Sequence, residues 1–111
     1  MDTMDNGNVL KVTTESSYRN IIFENKHKLI VVDFSAEWCQ PCRYIYPKFV
    51  KLSKKYENVI FIHVDVEKSS IEDAKNIDNV PSFKFYFNQN IIYDFIGSNL
   101  NFLENAIKNY C

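Results

Sequence analysis

Residues Leu29–Ser35 (Leu-Ile-Val-Val-Asp-Phe-Ser) form a near-continuous apolar run of strand length. Side chains alternate across a strand, so a run that is apolar at odd and even positions alike must be covered on both faces. Beyond it, from Cys39 onward, Ile45, Phe49, Val50, Leu52 and Tyr56 recur at helical spacing to about Glu57. A central strand leading into a long amphipathic helix argues for a sheet with helices packed on both faces.

The rest of the chain fits that plan. Val9–Thr13 reads as a short strand by alternation and β-branching. Thr14 or Ser16 can cap a helix carrying Tyr18, Ile21 and Ile22, ending near Asn25–Lys28. Val59–Val66 is a second β-rich run, and Ser70–Ile77 is expected as a short helix. Ser82–Phe87 and Ile91–Ile96 are strands around Asn88-Gln89-Asn90, a loop rich in the residue that best tolerates a left-handed backbone after glycine. Asn99 can cap a last helix with Leu100, Leu103, Ala106 and Ile107. The expected order is β-α-β-α-β-α-β-β-α, with right-handed crossovers first and a hairpin last. Residues 1–8, small, polar or acidic, are expected to form a flexible N-terminus, and 9–111 a single domain.

Composition narrows the function classes. Thirteen basic against 14 acidic residues give a net charge of −1, which disfavours nucleic acid as a partner, since counterion release needs a basic surface. The Phe83, Phe85, Phe87 alternation lacks an accompanying basic groove and reads as strand packing. Lys51, Lys54 and Lys55 fall on a solvated helix face. No apolar run approaches the roughly 18 residues of a membrane span, so no membrane association is expected. The opening MDTMDNGN has neither a secretory nor a transit pattern, which leads us to expect a cytoplasmic chain, with processing of a targeted form left open.

Three cysteines are too few for a disulfide-stapled scaffold, and their placement matters more than their number. Cys39-Gln40-Pro41-Cys42 falls where the buried strand has ended and the long helix begins. The first thiol then lies at a helix N-terminus, where unpaired N–H groups and the positive dipole end stabilise a thiolate. Cys42 follows at i+3 on the same face, within disulfide reach, its sulfur further inside the helix. That asymmetry makes Cys39 the attacking thiol, which forms a mixed disulfide, and Cys42 the thiol that resolves it. Pro41 is tolerated because the first helical turn has no intrahelical partner for the missing N–H. A zinc or iron–sulfur site lacks ligands, since only Cys111, His27 and His63 remain and there is no second C-x-x-C. No metal is expected.

The segment Val32-Asp33-Phe34-Ser35-Ala36-Glu37-Trp38-Cys39-Gln40-Pro41-Cys42 resembles the strand and active-site segment of the thioredoxin family. Val80-Pro81-Ser82-Phe83 resembles that family's cis-proline loop, and the order of elements and Gly97 agree over about residues 9–110. Gln40 departs from the glycine most members carry there, which bears on reduction potential and substrate preference. The resemblance implies a thioredoxin fold, an α/β architecture with a central mixed sheet of about five strands flanked by four helices. It implies a protein-disulfide reductase serving electron transport and cell redox homeostasis, with no bound cofactor. Its electrons are expected from NADPH through a flavin-containing thioredoxin reductase, and its substrates are disulfide-containing proteins.

Asp33 interrupts the most apolar strand, where an unpaired carboxylate is costly, and is a candidate for moving protons. The resemblance implies that it takes the proton of Cys42, through water, as the mixed disulfide resolves. For His63, in the neighbouring β run, two readings stand: a group that tunes Asp33 or, the preferred expectation, a surface-facing or satisfied histidine. The resemblance further implies a cis peptide before Pro81 and a substrate-binding surface of Trp38, Gln40, Pro41, Val80, Pro81 and Gly97. The Val80 backbone is expected to pair with an extended substrate segment. Pro47 is expected to kink the long helix. Cys111, at the end of the chain, is expected to be exposed and passive in a monomer, with a linked dimer conceivable in oxidant. Two alternatives share the fold: a disulfide isomerase or oxidase, and a binding subunit whose cysteines are dispensable.

Overall fold

The computed structural model describes residues 5–111, and residues 1–4 of the expected flexible N-terminus lie outside it. Five strands, β1 (Val9–Lys11), β2 (Ile30–Ser35), β3 (Ile60–Asp65), β4 (Ser82–Phe87) and β5 (Asn90–Ile96), form one sheet in the order β1-β3-β2-β4-β5. β1, β3 and β2 run parallel, whereas β4 and β5 are antiparallel to their neighbours. The helices are α1 (Glu15–Glu24), α2 (Gln40–Lys55) and α3 (Leu100–Tyr110).

All six residues of β2 are buried, as its two-sided apolar pattern requires. The strand period sorts them between two cores. Val31 joins Phe61, Phe83 and Phe85 under Ile45 and Phe49 of α2 and Leu103 and Ile107 of α3. Ile30, Val32 and Phe34 join Ile62, Val64 and Tyr86 under Tyr18 and Ile22 of α1. Odd-numbered β2 positions therefore face α2, and this face also receives Asp33 and Ser35. The parallel register sets Asp33 opposite His63, and Lys11 opposite His63 on the far side.

The third of the four expected helices, Ser70–Ile77, is reduced to a 3-10 turn over Asp73–Asn76. Tertiary anchors hold it in place of helical continuation. The Tyr18 hydroxyl donates to the Tyr86 hydroxyl at 2.9 Å and lies 3.2 Å from Asp73 Oδ2. The Tyr86 hydroxyl also donates to Asp73, and Arg19 pairs with it at 3.3 Å. The backbone N–H of Ser70 donates to Thr13 O at 2.8 Å, fixing the start of the segment.

Local signals account for most boundaries. Thr14 caps α1 by accepting from Ser17 N, and Asn99 caps α3 by accepting from Phe102 N at 2.9 Å. The β4–β5 loop is shorter than expected, because Asn90 already belongs to β5. Asn88 and Gln89 alone make the turn, with φ of 53° and 69°, the double left-handed geometry of a two-residue hairpin. Phe83 and Phe85 are buried as strand packing predicts, while Phe87 at the end of β4 is exposed. α2 continues through Pro47. At the described end of the N-terminal segment, Asn8 N donates to Ser53 Oγ and the Tyr46 hydroxyl to Asn6 Oδ1, joining residues 6–8 to α2.

Candidate functional site

Cys39 is the N-cap of α2, and its sulfur accepts from Cys42 N at 3.2 Å. The helix N-terminus thus directs an N–H at the sulfur, as the dipole argument anticipates. Cys39 and Cys42 are joined as a disulfide, their Cα atoms 5.2 Å apart. Both are nearly buried, at 3% exposure each, in a small apolar cluster with Ala36, Val66 and Val80. Pro41 occupies the first turn of α2, and Gln40 and Pro41 are exposed.

The Val80–Pro81 peptide is cis, and the Val80 carbonyl oxygen lies 3.6 Å from Cys39 Sγ. Gly97 N–H donates to Pro81 O at 2.9 Å, bringing the end of β5 beside this loop. Gly97 has φ +121°, and a Cβ there would meet nothing within 4 Å. Conformation, not crowding, demands glycine, and the space above it is open. Trp38 is 65% exposed, with its indole N–H donating to Glu67 Oε2 at 2.7 Å. Ile96, beside Gly97, is 63% exposed and extends the apolar surface. The structure thus brings Cys39, Cys42, Val80, Pro81 and Gly97 together at one end of the sheet, with Trp38, Gln40 and Pro41 beside the cysteines in sequence.

Asp33 is fully buried on the α2 face. Ser35 Oγ donates to its Oδ1 at 2.6 Å, and His63 Nδ1 lies 3.0 Å from its Oδ2. This departs from the preferred expectation for His63 and favours the other reading, since its ring is the direct partner of Asp33. The reason is register: β2–β3 pairing sets the two opposite each other, and β3 turns His63 to the α2 face. The Tyr46 ring packs edge-on against His63 at 4.8 Å. Burial, with the charge of Asp33 second, pushes the Tyr46 phenol up to about 12, so it stays a hydroxyl donor. A cleft of about 370 Å³ opens here, lined by Cys42, Ser35, His63 and Tyr46 among others. At its rim, the hydrogen bond from Lys68 holds the exposed Glu37 carboxyl below its usual range.

Sequence reasoning missed Ser35 and Glu67. Ser35 carried a signal, since it stands two residues after Asp33 and so shares its strand face. Glu67 carried none, because only the fold brings it to Trp38. Cys111 is exposed and not in a disulfide. Among the described residues no three His, Cys, Asp or Glu side chains converge as metal ligands would, and no helix is long and apolar enough to cross a membrane.

A cysteine pair capping a helix, a carbonyl presented by a cis-proline loop and a buried carboxylate define a dithiol–disulfide exchange protein. Comparison with known proteins gives the family. The thioredoxin family model matches residues 9–109. Thioredoxin 1 of Plasmodium falciparum is 38% identical over 100 residues, covering 89% of this chain and 94% of its own. The crystal structure of Schistosoma mansoni thioredoxin superposes with a TM-score of 0.86 at 35% identity, covering 93% of this chain and 95% of that one. A thioredoxin f2 solved in complex with ferredoxin:thioredoxin reductase gives a TM-score of 0.86 at 28% identity, covering 96% and 97%. The chain belongs to the thioredoxin family, and its activity is that of a thioredoxin-type protein-disulfide oxidoreductase.

Proposed function

We infer that the chain works in the reducing direction, with each site residue in a defined role. Cys39 attacks a disulfide in a partner protein, forming a mixed disulfide and expelling one partner thiolate. Cys42 then attacks Cys39, closing the Cys39–Cys42 bond and releasing the second partner thiolate. Asp33 takes the proton that Cys42 gives up. Trp38, Gln40, Pro41, Val80, Pro81 and Gly97 form the docking surface. An extended partner segment pairs with the Val80 backbone over the open space at Gly97.

The observation that carries this reading is the placement of the Cys39 sulfur. It sits at the start of α2, 3.6 Å from the Val80 carbonyl, where a docked strand and a reactive sulfur meet. No bound cofactor takes part. Electrons come from NADPH through a flavin-containing thioredoxin reductase. The thioredoxin f2 relative in complex with a reductase supports a reductase partner in general terms. We place the working protein in the cytoplasm as a monomer, with a Cys111-linked dimer confined to oxidising conditions.

The test is the reduction potential of the Cys39–Cys42 pair, measured by equilibration with thiol buffers and read by Trp38 fluorescence or alkylation mass. A value more reducing than the glutathione pool is expected. A markedly oxidising value would replace the reductase by an isomerase or oxidase.

A further inference from the structure

Asp33 exposes no surface to solvent among the described residues. It is fully buried, and its Oδ1 is occupied by the Ser35 hydroxyl at 2.6 Å, itself nearly buried. Among the described residues its other oxygen meets only His63 Nδ1, at 3.0 Å. The His63 side chain is 19% exposed and lines the same cleft as Cys42. A carboxyl group that collects a proton in every turnover must also lose it, and imidazole is the side chain suited to pass one on near neutrality. We propose that His63 is the positioning residue and proton outlet of Asp33, carrying the proton released by Cys42 from the buried carboxyl to the water of the cleft.

This rests on the reading of Asp33 as proton acceptor. When Cys42 attacks Cys39, its proton passes to Asp33, the Cys39–partner bond breaks, and its electron pair leaves on the partner thiolate. Asp33 then transfers the proton from Oδ2 to His63 Nδ1, while the proton on Nε2 leaves to solvent. Asp33 returns to the carboxylate, and His63 has changed tautomer without changing charge. A proton taken up again at Nε2, with Nδ1 releasing its own to Asp33, resets the pair for the reverse reaction. Other groups set the field around the imidazole. Lys11 on β1, Arg43 on α2, Glu37 before α2 and Asp65 on β3 line the cleft. Tyr46 holds the ring edge-on and remains a neutral phenol.

The experiment is single-turnover reduction of insulin disulfides by the fully reduced protein, followed by Trp38 fluorescence from about pH 6 to 8, where imidazole exchanges protons. His63→Ala should slow resolution about tenfold, short of the roughly hundredfold or greater loss of a general base. Added imidazole should restore its rate. His63→Gln, which can still donate a hydrogen bond to Asp33 but relays no proton, should keep the wild-type unfolding midpoint, stay slow and resist rescue. Asp33→Asn should be slower still, with imidazole without effect. Wild-type rates in His63→Ala or His63→Gln, or a loss in His63→Ala that imidazole does not restore, overturn the outlet and leave Asp33 as acceptor if Asp33→Asn remains slow. A wild-type rate in Asp33→Asn removes the acceptor role and the outlet with it.

Discussion

Ser35 and Gly97 show how much of the site rests on single side chains outside the cysteine motif. Ser35 supplies the hydroxyl that satisfies Asp33 Oδ1. Ser35→Ala should destabilise by about 1–3 kcal/mol, the usual cost of leaving a buried acceptor short of a partner. Urea titration should show a lower midpoint with an unchanged slope. Gly97→Ala meets open space, yet φ of +121° is a region L residues avoid, so a loss of about 1–3 kcal/mol is expected from backbone strain alone. A neutral result in urea would mean that the loop relaxes. At the cysteines, Cys42→Ser should trap a mixed disulfide with insulin detectable by mass, whereas Cys39→Ser should trap none. Asp33 was legible because a carboxylate in so apolar a run needs a reason. Its pairing with His63 was legible only as one of two readings, because strand register follows from packing of two whole strands and leaves no local mark at either residue.

At the level of elements, the 3-10 turn is held by the buried phenols of Tyr18 and Tyr86 rather than by helical propensity. Burial raises both phenols well above the ordinary value of 10.0, and the charge of Asp73 adds to the shift. The folded state thus keeps these protons after the unfolded chain would release them. Their contribution is complete below about pH 10, the ordinary phenol value, and is lost as pH rises above it. Between pH 8 and 11, wild type should lose more urea resistance than a Tyr18→Phe, Tyr86→Phe double variant. Equal losses would place the alkaline weakness elsewhere. The helix expected over Ser70–Ile77 failed for the same reason: Ile71 and Ala74 carry its apolar period, but the contacts from Tyr18, Tyr86 and Arg19 to Asp73 override it. α1, α2 and α3 were legible because their caps, Thr14, Cys39 and Asn99, act within one turn.

Across the whole molecule, one sheet separates two cores, and the site lies at the end where β2 and the cis-proline loop meet. Phe49 joins α2 to the sheet, its ring 5.1 Å from Phe61 and 5.8 Å from Phe83. Phe49→Ala should cost about 3–5 kcal/mol by the cavity it leaves, a large share of the roughly 5–15 kcal/mol that holds a domain together. Chemical denaturation should show it as one cooperative transition at lower urea. A second, separate transition would mean that the two cores unfold independently. Strand direction was readable from the crossovers and the hairpin. The two-sided core was readable from β2, because its apolar residues fall at odd and even positions alike.

The disulfide spans two Cα atoms 5.2 Å apart, close to the separation that one turn of α2 imposes whether or not the sulfurs are joined. Two electrons can therefore enter or leave without the backbone having to travel. On that spacing the molecule should resemble a battery whose casing keeps its dimensions between charged and spent, and a partner that sorts one from the other would have to feel the terminals rather than the outline.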